Sequence, residues 1–164
     1  MRVITFSRFF PVTHPRKGEP TFFVEKVVRG LHLINGVKFD VNCEFSVPMY
    51  YIVDGKYHTI RAGSRWKVGD YFSPRVWSGK PYTSKQIEFA PAIEIKKIYS
   101  FQYATDYDRF WIDGVEIHDH SVLEELASND GLKFDDFVDW FNVHTKKKEV
   151  FEGQILCWNE NVFY

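Results

Sequence analysis

The sequence predicts an α+β protein with a mostly antiparallel sheet that curls into a small barrel. Two observations lead to this fold class. Several β segments follow one another without intervening helices, and helical periods occur only near the N-terminus and before a closing strand. A chain of 164 residues has the size of one domain and can bury a core. We therefore expect a single domain over residues 1–164.

Three segments have the apolar period of an amphipathic helix. In the first, Phe23 and Val27 share a face and Gly30 lies near the expected end. Asp119 or Ser121 can cap the second. The predicted helices cover residues 21–30, 121–128 and 134–142, and the lysines of residues 146–148 follow the last of them. Cations are favoured at that end because of the helix dipole.

The β segments alternate apolar and polar side chains and are bounded by turn residues. Asp113 and Gly114 predict a primed hairpin turn, and a phase change near Lys96 and Lys97 indicates a bulge. Pro91 divides a long segment into one bent strand or two strands. The predicted strands cover residues 3–6, 56–61, 70–79, 84–103, 110–112, 115–117 and 149–159.

Composition excludes several classes of protein. The net charge of −1 gives no global attraction for nucleic acid, so any such attraction requires a local patch. Cys43 and Cys157 are too few and too far apart for a metal pattern or a disulfide framework, which indicates buried thiols in a reducing compartment. We see no signal peptide or membrane-spanning run, and we expect a soluble, cytoplasmic protein without membrane partner, metal or cofactor.

One short stretch, residues 56–67, concentrates positive charge with aromatic residues. Arginine forks bind phosphate and aromatic rings stack on bases, so the stretch predicts a cleft for a nucleotide or single-stranded RNA. The alternative is a solvated hairpin with Trp66 in the core, and we expect that ring to be half-buried. The candidate ligand-binding residues of the stretch are His58, Arg61, Arg65, Trp66 and Lys67.

The same stretch contains a lysine and a threonine that are three residues apart. On a regular strand Lys56 and Thr59 face opposite sides, so they meet only if the chain bends after the turn at Asp54 and Gly55. A threonine hydroxyl needs a neighbouring base to become a nucleophile, and a lysine serves as that base when burial or another cation lowers its pKa. The alternative is an ordinary strand threonine beside a surface lysine.

The letters GKYHTIR, followed by RWKVGD, resemble the ASCH domain, a branch of the PUA-like β-barrel superfamily. The matching positions are Lys56, Thr59, Ile60, Arg61, Val68, Gly69 and Asp70. Residues 127–141 more loosely resemble the helical insert of that family. The resemblance implies a PUA-like antiparallel barrel of about five or six strands with flanking helices. Residues 35–54 and 104–118 would then be elaborations.

The resemblance also implies function. Many PUA-like barrels bind RNA, some small ASCH proteins are amidohydrolases on N4-acylated cytidine, and others are described as ribonucleases. Carried over by position, Thr59 would be the nucleophile, Lys56 its base and Asp130 the acidic partner, where the amidohydrolases have a glutamate. The loop with His14 and Arg16, which precedes the first helix, would border the same cleft; the alternative is a plain surface loop.

We therefore expect binding of RNA, a nucleotide or a modified nucleoside through a basic, aromatic cleft. The first alternative is a small hydrolase of modified nucleosides, or a ribonuclease, with a lysine, threonine and acid site. The second alternative is an accessory or structural protein, of the kind that phages encode, whose barrel has no activity.

Overall fold

The computed structural model describes residues 1–36, 38–144 and 149–164 and shows a mixed α+β fold, as predicted. Within these residues there are three helices, which are α1 (Phe23–Asn35), α2 (His120–Asn129) and α3 (Phe134–His144). The described part of the chain also contains nine strands, which are β1 (Arg2–Thr5), β2 (His58–Ala62), β3 (Tyr71–Trp77), β4 (Gln86–Glu88), β5 (Ile93–Glu94), β6 (Lys97–Ala104), β7 (Arg109–Ile112), β8 (Val115–Glu116) and β9 (Val150–Cys157). The basic run at 146–148 lies outside the described residues.

The strands form two sheets rather than one set of five or six strands. The larger sheet has the order β2-β9-β6-β7-β8 and is antiparallel throughout. In the smaller sheet, β3 pairs with β1 in parallel and with β4 and β5 in antiparallel orientation. The strand count exceeds the prediction because residues 84–103 divide into β4, β5 and β6, with Pro91 in the first break. A proline removes one ladder donor and ends the pairing there.

Helix α1 extends five residues beyond its predicted end at Gly30. Gly30 does not end the helix; a Cβ atom there would lie 2.4 Å from the carbonyl oxygen of Lys56, so the position is reserved for close backbone packing. The helix ends at Gly36, which has a φ of 64° and donates its N–H to the carbonyl of His32. At its start, Phe22 has the left-handed φ of 58°, which is rare for an aromatic residue.

Two local predictions are confirmed in detail. The side chain of Asp119 accepts a hydrogen bond from the N–H of Ser121 and caps α2. Asp113 and Gly114 both have positive φ values, 50° and 77°, as a primed turn between β7 and β8 requires.

Aromatic side chains join the two sheets. Trp158, directly after β9, packs its ring edge-on against Phe6 at 6.4 Å and against Phe72 of β3 at 6.0 Å, measured between ring centroids. On the other side, α3 packs Phe137 and Phe141 against Phe101 of β6. Within the described parts of the chain, no helix combines the length and the hydropathy needed to cross a bilayer.

Two backbone hydrogen bonds and one side-chain hydrogen bond fix the residues before β2. The N–H of Lys56 donates to the carbonyl of Lys26 in α1 at 2.8 Å, and the N–H of Tyr57 donates to the carbonyl of Asn129 in α2 at 2.8 Å. The indole N–H of Trp158 donates to the carbonyl of Lys56 at 3.1 Å. The chain bends at Asp54, and the side chain of Lys56 then reaches Asp130 at the end of α2.

Candidate functional site

Lys56 and Asp130 form a buried ion pair at the centre of the candidate site. Lys56 Nζ lies 2.5 Å from Asp130 Oδ1 and also donates to the backbone carbonyl of Asp130. Only 2% of Lys56 and 6% of Asp130 are exposed. The Phe23 ring lies 4.6 Å from Lys56 Nζ and covers the ammonium group. The predicted partnership between these two residues therefore has the geometry of a direct contact.

Burial changes the proton affinity of both partners. It lowers the pKa of Lys56 from 10.5 to about 8, although the attraction of Asp130 opposes this change. Burial also raises the pKa of Asp130, against the opposing effect of Lys56. The pair is therefore closer to exchanging a proton than an exposed lysine and aspartate would be.

His58 contributes a third titratable group to the same carboxylate oxygen. Its Nε2 lies 3.1 Å from the carbonyl oxygen of Leu126, which can only accept, so we assign the ring proton to Nε2. Burial, and then the charge of Lys56, lower the pKa of His58 well below 6.5, which keeps the ring neutral. Its Nδ1 lone pair lies 3.6 Å from Asp130 Oδ1 and has no hydrogen-bond partner among the described residues.

Arg61 and Lys26 bring two more positive charges to this carboxylate. Arg61 donates to the carbonyl of Thr5 at 3.1 Å, while its buried Nε has no partner in the described part of the chain. Burial lowers the pKa of Arg61 to about 10. Lys26 Nζ donates to the carbonyl of Gly131 at 2.6 Å, and burial lowers its pKa. Lys26, Lys56 and Arg61 all act electrostatically on Asp130, and Lys26 is also acted on by the carboxylates of Asp54 and Asp136.

Thr59 lies in β2 opposite Leu156 of β9 and is 5% exposed. It shares a strand face with Arg61, because side chains alternate along a strand. The side-chain hydrogen bonds of Lys56 found among the described residues go to Asp130, and none joins it to Thr59. The predicted contact between the lysine and the threonine is therefore not formed in this structure, since Asp130 engages the ammonium group.

The second half of the basic stretch lies elsewhere. Trp66 was predicted to be half-buried and ligand-binding, but it is 3% exposed and its backbone N–H and carbonyl bond to the side chain of Gln154. Arg2 and Arg65 lie over its ring at 5.0 and 5.7 Å. This burial removes Trp66 from the candidate stacking residues. Arg65 and Lys67 are exposed.

His14 and Arg16 attach their loop to α3. His14 is 2% exposed, and its Nε2 lies 3.1 Å from the carbonyl of Asp136. Arg16 donates to Asp136 Oδ2 at 2.6 Å and to Glu19 Oε2 at 2.7 Å. Both residues thus have structural partners. Arg16 is nonetheless near enough to Lys26 for its charge to contribute to lowering the pKa of that lysine.

Lys26 is the member of the site that sequence reasoning missed. It lies three residues after Phe23 and four before Gly30, and therefore on the helix face that packs against Lys56. The signal was available in that spacing, since a lysine on a buried helix face is uncommon. Without knowledge that residues 55–57 pack there, the position looked like the polar side of α1.

No family model, no curated protein and no solved structure matches this chain.

The lowered pKa of Lys56 predicts a specific pH dependence of stability. Between about pH 8 and 10.5 the unfolded chain holds a proton on Lys56 that the folded chain has released, so stability rises with pH in this window. We expect the free energy of unfolding of the wild type, minus that of Lys56→Met, to rise by up to about 1.4 kcal/mol per pH unit. Urea denaturation at several pH values measures it, and a constant or falling difference would contradict the assignment.

Proposed function

We propose that this chain binds a nucleotide-type anionic ligand at the Lys56–Asp130 site, within a PUA-like barrel of the ASCH type. The observation that carries the proposal is the charge balance of the buried part of the site, where Lys56 and Arg61 share the one carboxylate of Asp130, while Lys26 also faces Asp54 and Asp136. A buried or half-buried cation without a full counter-charge is costly. An anionic ligand supplies the missing negative charge.

Two unpartnered polar atoms give the ligand directional contacts. Arg61 Nε is a buried donor and His58 Nδ1 a buried acceptor, and neither has a partner among the described residues. Buried polar atoms are nearly always hydrogen-bonded in native proteins, so an unpaired acceptor 3.6 Å from Asp130 Oδ1 and an unpaired donor on an arginine that acts electrostatically on the same carboxylate favour a ligand that offers both kinds of group. A phosphorylated nucleoside has phosphate oxygens for the arginine and hydroxyl or amino donors for the histidine.

The division of the basic stretch favours a small ligand over a long RNA strand. An RNA groove needs cations that follow the strand and exposed aromatic rings that stack on successive bases. Here Lys56 and His58 are buried, Trp66 is buried, and only Arg65 and Lys67 are exposed. The inner residues thus suit one phosphate group better than a polymer.

The barrel is part of the same proposal. The motif of residues 56–70 resembles ASCH domains, and two sheets that pack against the shared Trp158 suit a partly closed barrel. In such a barrel, Lys56 would reach the ligand from the bent segment before β2 and not from the face of a strand.

A titration with cytidine 5′-monophosphate tests the binding proposal. We expect Arg61→Gln to weaken binding by about 10-fold to 100-fold, because it removes a charge-assisted contact worth about 1.5–3 kcal/mol. The control is Arg65→Gln, which changes an exposed arginine and should leave the affinity within about two-fold. Added salt should weaken wild-type binding.

Three results would reject this proposal. They are the absence of binding to the wild type, an unchanged affinity in a folded Arg61→Gln protein, and stronger binding of a short single-stranded RNA that depends on Arg65 instead. Thermal unfolding of each variant establishes that it is folded.

A second candidate function is hydrolysis of an N4-acylated cytidine, which the resemblance implies and which is favoured by the burial of Lys56 against Asp130, since that burial lowers the pKa of the lysine to about 8. In this scheme a ligand displaces the ammonium group from Asp130, neutral Lys56 takes the proton of Thr59, and the threonine oxygen attacks the acyl carbon. The protonated lysine then returns its proton to the departing cytidine amine, and water releases the acid from the acyl-threonine.

Incubation with N4-acetylcytidine, followed by ultraviolet absorption, tests this candidate. We expect a rate that rises with pH through about 8, where Lys56 loses its proton. Thr59→Val retains the shape of the side chain without the nucleophile and should abolish turnover. Turnover that survives in Thr59→Val would reject covalent attack, and a lack of turnover in the wild type would reject the hydrolase and leave binding.

A further inference from the structure

The ring of Tyr164 covers the His58 side of the site. It lies at an angle of 82° to the His58 ring, with 5.8 Å between the two ring centroids. Its hydroxyl accepts a hydrogen bond from Asn129 Nδ2 at 3.0 Å, and Asn129 directly precedes the carboxylate residue Asp130. Tyr164 is half-buried, whereas the His58 side chain that it contacts is 0% exposed. The tyrosine ring is therefore the outer layer at this point, and the imidazole lies below it.

The titratable groups of the site are almost inaccessible in this structure. Their exposed fractions are 2%, 0% and 6% for Lys56, His58 and Asp130. A ligand reaches these groups only if a side chain that covers them moves. Phe23 is poorly suited to such a movement, because it belongs to α1 and its ring packs against Trp140 of α3 at 5.5 Å between centroids. Tyr164 follows β9 in a segment without regular secondary structure, so its side chain can move without disturbing a helix or a strand.

The backbone beside Tyr164 is fixed, and its side chain is the part that can move. The carbonyl of Val162 accepts hydrogen bonds from Lys97 Nζ at 3.1 Å and from the Tyr99 hydroxyl at 3.0 Å. The backbone N–H of Tyr164 also faces the Tyr99 hydroxyl. By contrast, the hydrogen bond found for the Tyr164 side chain among the described residues is the one from Asn129. A rotation of the ring therefore breaks that hydrogen bond and leaves the segment attached to β6.

His58 can report on such an opening, because one of its ring nitrogens is free to react. Its Nδ1 has no hydrogen-bond partner among the described residues, while its Nε2 lies 3.1 Å from the carbonyl of Leu126. Burial lowers the pKa of His58 well below 6.5, so the ring is neutral at pH 7 and carries a reactive lone pair. Access, and not protonation, then limits the reaction of His58 with a reagent from the solvent.

We propose that the side chain of Tyr164 is a gate, which closes the site in this structure and opens it when the ring rotates away from His58. This inference goes beyond the proposed function, because it concerns access to the site and holds for any ligand that reaches His58 or Asp130. The neighbouring Phe163 takes no part in the gate. It is 67% exposed, and its ring lies 3.3 Å from Lys97 Nζ on the surface. The two consecutive aromatic residues thus form a matched pair for a test.

The test is the reaction of the folded protein with diethyl pyrocarbonate, which transfers an ethoxycarbonyl group to an unprotonated imidazole nitrogen. Mass spectrometry of peptides gives the rate at each histidine. We expect Tyr164→Ala to raise the rate at His58 by about 10-fold or more, because a hydrogen bond and an aromatic contact that hold the gate shut are both lost. Tyr164→Phe, which loses only the hydrogen bond, should raise this rate by about 2-fold to 10-fold. The control Phe163→Ala should leave it within about 2-fold of the wild type.

Two other histidines separate opening of the gate from loss of the fold. His14 is 2% exposed and lies against α3, so it reacts only when the protein unfolds more widely, and the exposed His118 reports the activity of the reagent. A faster reaction at His58 with His14 still protected supports the gate. Equal acceleration at both residues would mean that Tyr164 only stabilises the fold, and an unchanged rate at His58 would mean that another side chain closes the site. Either result overturns the proposal, and Tyr164→Phe decides it if Tyr164→Ala does not fold. The labelling needs no ligand, so its outcome is independent of the binding test.

Discussion

The buried pair of Lys56 and Asp130 is the constraint on which the arrangement of this site depends. Removing two charges from water is costly, and the cost is recovered only when the two groups meet in good geometry with further hydrogen bonds. The contact at 2.5 Å links the bend before β2 to the end of α2. The close approach of Gly30 to the Lys56 carbonyl adds α1 to the same junction. Fold and site are therefore determined by one packing arrangement.

Local sequence signals were sufficient for most elements of the fold. Periodicity located all three helices, and Asp119 and the Asp113–Gly114 turn had the predicted roles. The arrangement into two sheets was not predictable, because the parallel pairing of β1 with β3 joins distant segments and leaves no local mark. The predicted end of α1 at Gly30 was wrong for a related reason. Gly30 is needed because a side chain there would collide with the backbone of residue 56, and not because the helix ends there.

The site was predictable in part, and the failures share a cause. Lys56, Arg61 and Asp130 were predicted as site residues from the family resemblance, and their charges act on one another in the structure. Burial lowers the pKa of both Lys56 and Arg61. Sequence could not separate these from Arg65 and Trp66, since neighbours along a chain need not share a face or a depth. Lys26 was missed because its place in the site depends on how the irregular segment before β2 crosses α1.

The pKa of Lys56, measured with and without ligand, tests the central claim most directly. Nuclear magnetic resonance of the side-chain carbon next to Nζ follows the titration, and Lys56→Met assigns the signal. We predict a pKa of about 8 in the free protein. Saturating cytidine 5′-monophosphate should raise it, because a nearby anion favours the charged ammonium group. A pKa of Lys56 near the ordinary 10.5 in the free protein would contradict the buried environment of this lysine. A pKa that the bound nucleotide leaves unchanged would contradict the proposal that this site binds an anion.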